Sequence, residues 1–445
     1  MMNEEHLKDL ITYLKFPSIS TDSSYSNDVK DCAEWLTNKM IDKGLESQIY
    51  ETPGHPIVVG KNKHREGLPT IMIYGHYDVQ PADPLDLWES PPFEPRIDEG
   101  KIYARGSTDN KGQNLAHLLG LGEIINEEGE LPVNVILLVE GEEEIGSPNL
   151  GPFLEKYRDE LSCDVIAVSD TGMIGPGIGT FTYGLRGIAC MEVTLHGPST
   201  DLHSGVFGGS IANPSTAIAR IISSLHDSDG KIKVSGFYDD VREIQEWERD
   251  AWASLPVNEA ETLELTGSSE LFGEKGFTDA ERRWARPTAE LNGIGGGYQG
   301  EGSKTVIPSK SFAKLSFRLV PDQDPEKILK LVREHLESHL TPGTRIECEF
   351  GHSGKAYLMD PQSDYGKAAQ NALRETFGCE PALIREGGSI PIVQTFKDVL
   401  GADTLLLGLA LPDCQIHAPN ENFLIKNFYD GIRLNRLLIL SLIHI

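Results

Sequence analysis

Apolar positions in the first part of the chain follow two alternating patterns. Continuous apolar runs at residues 135–139 and 165–168 are typical of strands covered on both faces. Before the first of these runs, between the segments KIYARG and VNVILLVEG, apolar residues recur at helical spacing in NKGQNLAHLLGLGEIINEEG, so we predict a helix that Gly129 ends. Other helices are predicted near residues 4–15 and 28–44, and other strands at HPIVVGKN, PTIMIYGH and KIYARG. The alternation predicts an α/β domain with three layers, in which a largely parallel sheet lies between helices.

The pattern changes near Gly184. GIACMEVTLHG alternates like a half-buried strand, KSFAKLSFRLVPD and TRIECEFGHSG predict further strands, and Pro325 begins a helix between those two. This order predicts a compact α+β domain at residues 186–351. The helix DYGKAAQNALRETFG and the strand ADTLLLGLAL then resume the earlier style. Residues 1–185 and 352–445 are therefore predicted to form one α/β domain that the α+β domain interrupts.

Composition narrows the classes of function. The formal net charge of -28 over 445 residues argues against nucleic acid or an anionic membrane as partner, because both bind positive faces. The sequence has no run of about 18 apolar residues that would span a bilayer, and the N-terminal segment lacks the apolar core of a signal peptide. The C-terminal RLLILSLIHI is predicted to be a buried helix or strand end. Six widely spread cysteines form no Cys-x-x-Cys pair, which favours reduced thiols in a cytoplasmic protein.

Potential metal ligands follow the predicted strands. In open α/β sheets, the loops beyond the carboxyl ends of the strands form the ligand crevice. Side chains that are far apart in sequence are therefore expected to converge there. The segments that supply them contain His76 and Asp78, Asp109, the run Glu142 to Glu144, Asp170, and His417.

The residue types in these segments favour a dinuclear metal centre. Histidine and carboxylate ligands without thiolate suit Zn²⁺, Mn²⁺ or Co²⁺. A carboxylate that bridges two ions holds them roughly 3.5–4 Å apart, and such a centre lowers the pKa of a bound water toward about 7. A neighbouring carboxylate then serves as general base, and the run of glutamates offers a ligand beside a base in two registers. Asp78 is placed to orient His76 through the second ring nitrogen. Each segment alone also fits a capping aspartate or a solvated loop, so the hypothesis depends on their joint occurrence.

Several longer motifs resemble one family of dinuclear metallopeptidases. They are YGHYDVQP, RGSTDNKG, EGEEEIGS, DLHSGVFGG, GEGSKTVIPSK, FRLVPDQ and REGGSIPI, and the resemblance extends from FPSIST at 16–21 to HAPNE at 417–421. The family comprises carnosinases, cytosolic non-specific dipeptidases, aminoacylases, succinyl-diaminopimelate desuccinylases and glutamate carboxypeptidases. The motifs are more similar to the dipeptidase and carnosinase branch than to the desuccinylases.

The resemblance implies a ligand set and a general base in the α/β domain. It implies two divalent ions per subunit, zinc or manganese, and a cis peptide after the bridging aspartate, between Asp109 and Asn110. The implied roles are His76 and Asp170 on one ion, Asp109 bridging, Glu144 and His417 on the other, Glu143 as general base, and Asp78 orienting His76.

The resemblance also implies that residues 186–351 form a lid and dimerisation domain. It assigns no role to the acidic, tryptophan-bearing region 236–285, for which an elaboration of the lid is our hypothesis. His203 would reach the active site of the partner subunit in a homodimer and stabilise the oxyanion. Arg318 would bind the substrate carboxylate. The other implied substrate contacts are Thr305, His352, Glu386 and Ser389, of which the last two lie near the free N-terminus of a dipeptide.

These expectations amount to a cytoplasmic metallo-dipeptidase that cleaves dipeptides with a free N-terminus and a free C-terminal carboxylate. An alternative is an N-acyl-amino-acid amidohydrolase or a carboxypeptidase with the same dinuclear centre, and Glu386 is the residue that discriminates between them. A remote alternative is a non-catalytic metal-binding protein, which a missing ligand or base would favour.

Overall fold

The computed structural model describes residues 3–388 and 390–445. The chain divides into two compact units. The first unit comprises Met1–Tyr183, Met359–Ile384 and Thr395–Ile445, and the second comprises Gly184–Leu358 and Arg385–Gln394. Residues 385–394 therefore group with the second unit, although they lie far beyond residue 351 in the sequence.

The helices are α1 Glu4–Tyr13, α2 Ser26–Asp42, α3 Lys111–Glu128, α4 Leu150–Lys156, α5 Ser204–Phe207, α6 Pro214–Ser223, α7 Glu246–Ala253, α8 Glu259–Thr266, α9 Asp279–Trp284, α10 Pro325–Ser338, α11 Asp364–Phe377, α12 Pro391–Leu400 and α13 Ile425–Ser441. The strands are β1 Glu46–Tyr50, β2 Ile57–Lys61, β3 Thr70–His76, β4 Arg96–Asp98, β5 Lys101–Tyr103, β6 Asn134–Glu140, β7 Val165–Val168, β8 Thr180–Leu185, β9 Gly187–His196, β10 Leu202–His203, β11 Thr288–Gly296, β12 Val306–Ile307, β13 Lys310–Leu319, β14 Arg345–Gly354, β15 Tyr357–Leu358, β16 Ala382–Glu386, β17 Asp403–Leu406 and β18 Asn422–Leu424.

The first unit is built on a sheet with the strand order β1-β2-β6-β3-β7-β17-β8. Its centre is parallel, because β3 pairs in parallel with β6 and β7, and β7 pairs in parallel with β17. The outer pairs β1·β2, β2·β6 and β17·β8 are antiparallel. Strands β6 and β7 are buried along their whole length, as expected for strands covered on both faces.

The second unit contains a sheet with the strand order β11-β13-β9-β14, all antiparallel. Along β9 and β13, buried and more exposed positions alternate, because one face of this sheet packs on a core. Helices α6 and α10 contribute apolar residues to that core, including Ile218, Ile221, Leu329 and Val332.

The predicted fold class is confirmed: the structure is α/β with a largely parallel central sheet and a separate α+β part. Helix α3 ends at Gly129 in the left-handed conformation, as predicted. The C-terminal apolar segment lies at the end of α13. One detail of the prediction is wrong. The KIYARG segment forms β5, which pairs with β4 and β18 in a separate small sheet, so Asp109 does not follow a strand of the central sheet.

Across the described ranges 3–388 and 390–445, no helix has the length and apolar character needed to cross a bilayer.

Candidate metal centre

Two triads of potential metal ligands share the carboxylate of Asp109. In the first triad, His76 Nε2 lies 3.0 Å from Asp109 Oδ1 and 3.7 Å from Asp170 Oδ2. In the second triad, His417 Nε2 lies 3.0 Å from Asp109 Oδ2 and 3.2 Å from Glu144 Oε2. The structure thus brings together the five side chains that the sequence proposed as ligands, and the two oxygens of Asp109 face different triads.

The parallel centre of the sheet explains most of this convergence. His76 is the last residue of β3, while Glu144 and Asp170 follow β6 and β7, which flank β3. The carboxyl ends of adjacent parallel strands meet at one edge, so the three side chains reach one place. His417 lies in the loop after β17 and adopts a left-handed backbone conformation with φ of 60°.

Asp109 is positioned by Glu421, for which the sequence had indicated no role. The Glu421 side chain is fully buried and accepts hydrogen bonds from Arg105 Nη1 at 2.7 Å and from three backbone N–H groups of residues 106–109 at 2.9–3.0 Å, including that of Asp109. Glu421 therefore connects the loop that contains His417 to the loop that contains Asp109. The motifs RGSTDNKG and HAPNE contained both ends of this contact, but only the fold shows that they touch.

Asn110 is a second positioning residue that the sequence did not reveal. Its Nδ2 donates to the backbone oxygen of Ser169 at 2.6 Å and to Asp170 Oδ1 at 2.9 Å, and its Oδ1 accepts from the backbone N–H of His76 at 3.3 Å. The Asp109–Asn110 peptide bond is cis, as the resemblance implied. Asn110 thereby joins both strand ends that carry the first triad.

The three adjacent glutamates have different environments. Glu142 accepts hydrogen bonds from the backbone N–H of His55 at 3.1 Å and from Asn149 Nδ2 at 2.7 Å, so its carboxylate is committed to neighbouring loops. Glu144 belongs to the second triad. Burial and the negative charges of Asp170 and Asp109 contribute to a raised pKa of Glu143, which is the sequence neighbour of Glu144. This arrangement favours the register in which Glu144 is a ligand and Glu143 its neighbour.

Asp78 holds two parts of the site. Its backbone oxygen lies 3.1 Å from His76 Nδ1, and its carboxylate lies 3.3 Å from the same nitrogen. The carboxylate also accepts the backbone N–H groups of Glu143 and Glu144 at 3.2 and 3.1 Å. Asp78 therefore contacts the His76 ring and fixes the glutamate loop beside it.

The electrostatics of the site follow from burial among carboxylates. Burial raises the pKa of Glu143 well above its ordinary value, and the charges of Asp170 and Asp109 add to this effect. Burial opposes ionisation of Asp109, but hydrogen bonds from His417 and His76 outweigh it and lower the pKa of Asp109. Hydrogen bonds to Asp109 and Glu144 raise the pKa of His417 to about 10. The cluster contains more carboxylates than positively charged groups, so it favours the binding of cations.

The residues fit divalent metal ions in two respects. All donors are imidazole nitrogens or carboxylate oxygens, the types that Zn²⁺ and Mn²⁺ accept. Within residues 3–388 and 390–445, Glu144 Oε1 is a buried atom that has no hydrogen-bond partner. A buried, unpaired carboxylate oxygen is costly unless a cation or donor satisfies it.

The candidate substrate residues lie in the second unit. His203 and Thr305 are close, because β10 pairs with β12 and the N–H of Ser204 donates to the oxygen of Thr305 at 3.1 Å. Arg318 lies in β13 opposite Ile188 of β9. The remaining positions are His352 in an irregular part of β14 and Glu386 at the end of β16, while Ser389 lies outside the described residues.

A fold of this kind with a histidine and carboxylate cluster at the sheet edge defines a class of metal-dependent hydrolases. The sequence profile of Peptidase family M20/M25/M40 matches residues 72–441, and the chain belongs to this family. The Cys-Gly metallodipeptidase DUG1 of Saccharomyces cerevisiae is 34% identical over 440 residues, which cover 94% of this chain and 92% of that protein. The Beta-Ala-His dipeptidase of Homo sapiens is 33% identical over 375 residues, covering 82% and 73%.

Among solved structures, an M20 family metallo-carboxypeptidase, Sso-CP2 from Sulfolobus solfataricus, is similar with a TM-score of 0.85 and 34% identity over 100% of both chains. Family membership confirms the predicted resemblance and the prediction of an enzyme that hydrolyses peptide bonds. The names of the relatives agree with the dipeptidase and carnosinase branch. The family also implies divalent metal ions, which the two triads are able to hold.

Proposed function

We propose that this protein is a dinuclear metallo-dipeptidase that hydrolyses dipeptides with a free N-terminus and a free C-terminal carboxylate. The observation that carries this proposal is the pair of ligand triads that share Asp109, with Glu143 beside them. His76 and Asp170 would hold one ion, Glu144 and His417 the other, and Asp109 both. When bound, two zinc or manganese ions supply Lewis acidity and lower the pKa of water.

Glu143 is the proposed general base. Its carboxylate takes a proton from the attacking water and later donates it to the leaving amine. Burial raises the pKa of Glu143, which suits a group that must hold a proton between these two steps. Asp78 keeps the backbone of Glu143 in place through the hydrogen bond at 3.2 Å.

The first unit is the proposed catalytic domain, and the second is the proposed lid and dimerisation domain. Two features support a homodimer. Large apolar side chains are exposed on the second unit, including Ile294, Phe312 and Phe350, which is the kind of surface that subunit interfaces cover. His203 is exposed, as a residue that acts in the partner subunit must be. In that role it would stabilise the oxyanion.

The proposed substrate contacts read the two ends of a dipeptide. Arg318 would bind the C-terminal carboxylate, and Thr305 and His352 would contact the substrate from the lid. Glu386, with Ser389, would attract the N-terminal ammonium. We place the enzyme in the cytoplasm, with neither nucleic acid nor membrane as partner, because its cysteines are free and its net charge is -28.

A carboxypeptidase or N-acyl-amino-acid amidohydrolase is the second candidate. The similarity to the metallo-carboxypeptidase of Sulfolobus solfataricus favours it specifically, since that protein matches over its full length. The two candidates differ in whether the substrate amine must be free.

Hydrolysis of Ala-Ala and of N-acetyl-Ala-Ala, each with Mn²⁺ or Zn²⁺ added separately, tests the proposal. We expect alanine release from Ala-Ala and little or none from the acetylated peptide. Equal or faster cleavage of N-acetyl-Ala-Ala would assign the protein to the second candidate class. The Glu386→Gln variant serves as a matched control, because it should reduce the preference for the free amine without removing a metal ligand.

A further inference from the structure

The acidic, tryptophan-bearing region 236–285 makes a buried ion pair with the strand that carries Glu386. Glu248 in α7 and Arg385 in β16 are exposed by only 1% and 4%. Arg385 Nε donates to Glu248 Oε1 at 2.9 Å, and its Nη2 contacts the same oxygen. The Arg385 guanidinium also lies 5.7 Å from the ring centre of Trp252, which packs edge-on against Trp284.

The residues that follow Arg385 are held from a second side by Arg186. The backbone N–H of Arg186 donates to the oxygen of Glu386 at 3.1 Å, and Arg186 Nε donates to the oxygen of Gly387 at 3.2 Å. A Cβ on Gly387 would lie 2.7 Å from Arg186 Nη2 and 3.0 Å from the oxygen of Arg283 in α9. Gly387 is therefore closely packed between the Arg186 side chain and α9, where any larger residue would require Arg186 to shift.

Because Arg385 and Glu386 are adjacent residues of strand β16, these contacts also constrain the direction of the Glu386 side chain. Successive side chains of a strand point to opposite faces. The ion pair of Arg385 fixes one face of β16, so it also fixes the direction in which the next side chain points. Long side chains lose much rotamer freedom when they are fixed, and a rigid support keeps that cost out of substrate binding.

We propose that region 236–285 is a structural support for β16 that positions Glu386 toward the substrate amine, with Glu248 and Arg385 as positioning residues. The inference rests on the proposed function, since it assigns the selectivity for a free amine to Glu386. It gives a role to the segment whose function the sequence left open. Glu248 acts through Arg385 and β16 and does not contact the substrate.

The region contains a matched control for Glu248. Glu248 and Glu281 are both buried, and each is the third residue of its helix and closes a capping box. Glu281 forms its ion pair with Arg249 of the same region, whereas Glu248 forms its pair with Arg385. Glu248→Gln and Glu281→Gln thus make the same chemical change in similar surroundings, but only the first removes the anchor of β16.

The experiment compares kcat and KM of both variants and the unchanged enzyme for Ala-Ala and N-acetyl-Ala-Ala. For Glu248→Gln we expect KM for Ala-Ala to rise about tenfold, with kcat changed less than KM, because a charged contact in the bound state is weakened. The Glu281→Gln variant should keep the selectivity of the unchanged enzyme to within about twofold. Arg385→Lys keeps the positive charge but loses the planar guanidinium with its several donors, so its KM for Ala-Ala should lie between those of the two glutamine variants.

Hydrogen–deuterium exchange gives a readout that needs no turnover. In Glu248→Gln, amides of the peptide that covers residues 382–388 should exchange faster than in Glu281→Gln, at matched melting temperature. Equal exchange and equal selectivity in the two variants would overturn the proposal. If the unchanged enzyme prefers N-acetyl-Ala-Ala, the dipeptidase assignment fails, while the exchange comparison still decides whether the region supports β16.

Discussion

Three adjacent glutamates show how strongly a residue depends on its surroundings. Glu142 accepts hydrogen bonds from neighbouring loops, Glu144 joins the second triad, and Glu143 is partly buried near charged groups without belonging to either triad. The three residues are of the same type, so the sequence left two possible assignments of the metal ligand and the adjacent general base. Only the backbone path after β6, held by Asp78, separates them.

Glu143→Gln tests the general base. Glutamine keeps the size of the side chain but cannot accept and return a proton, so kcat should fall by roughly 10²–10⁴. Metal content, measured by elemental analysis after dialysis, should stay equal to that of the unchanged protein. A variant that retains most of its kcat would remove Glu143 from this role. Loss of metal together with activity would instead make Glu143 a ligand.

Glu421→Gln tests the contact that joins the two ligand-bearing loops. Although burial raises the pKa of Glu421, its carboxylate faces Arg105 and three backbone N–H groups. A glutamine would aim an NH₂ group at these donors and leave one or more unpaired, at a cost of about 3–5 kcal/mol. We expect urea unfolding to show this loss and calorimetry to show weaker Mn²⁺ binding.

Glu140→Gln is the control for that experiment. Glu140 is equally buried, but its partners are the hydroxyls of Tyr74 and Ser147, which can rotate to donate or accept. Burial raises its pKa to about 7, so the neutral form is already accessible. This variant should lose much less stability than Glu421→Gln. Equal losses would mean that Glu421 is an ordinary buried polar residue.

At the scale of elements, continuous apolar runs predicted the central strands β3, β6 and β7, because strands covered on both faces demand apolar residues. Apolar residues at helical spacing predicted the helix α3. Strands with mixed composition were missed. The segment TFTYGL forms β8 and is buried at every position, yet its threonines and glycine give no clear periodicity. Its burial comes from neighbours in the tertiary structure.

Helix α3 carries a buried histidine that should make the fold sensitive to acid. Burial lowers the pKa of His117 from 6.5 to about 3. Between these values the unfolded chain binds a proton that the folded chain does not, so this contribution is complete above about pH 6.5 and is lost as the pH falls toward about 3. The difference corresponds to on the order of 5 kcal/mol.

The measurement is the free energy of unfolding at several pH values between 4 and 7, with EDTA present so that metal release does not contribute. His117→Gln cannot titrate, so its stability should decrease less steeply on acidification, even if it is less stable at pH 7. Parallel curves for the two proteins would show that His117 does not dominate the acid response.

At the scale of the whole molecule, carboxylates from distant segments meet in one partly buried cluster. Removal of divalent ions with EDTA should therefore lower the melting temperature by several degrees, and Mn²⁺ or Zn²⁺ should restore it. An ion at about 100 times its Kd stabilises the folded state by about 2.7 kcal/mol. Asp109→Asn, which weakens both triads, should respond much less to added metal. A melting temperature that is indifferent to EDTA would contradict the metal-site assignment.

The sequence by itself determined the α/β class, the candidate ligands and the family, because strand ends and long motifs are local patterns that survive without coordinates. The tertiary structure decided which glutamate joins a triad, that Asp109 depends on Glu421 rather than on a central strand, and that Glu248 of region 236–285 pairs with Arg385 of β16. The physical reason is the sequence separation over which each kind of information acts. Periodicity and motifs act over a few residues, whereas these contacts join groups that are tens to hundreds of positions apart in the sequence, and only chain packing brings them within hydrogen-bond distance.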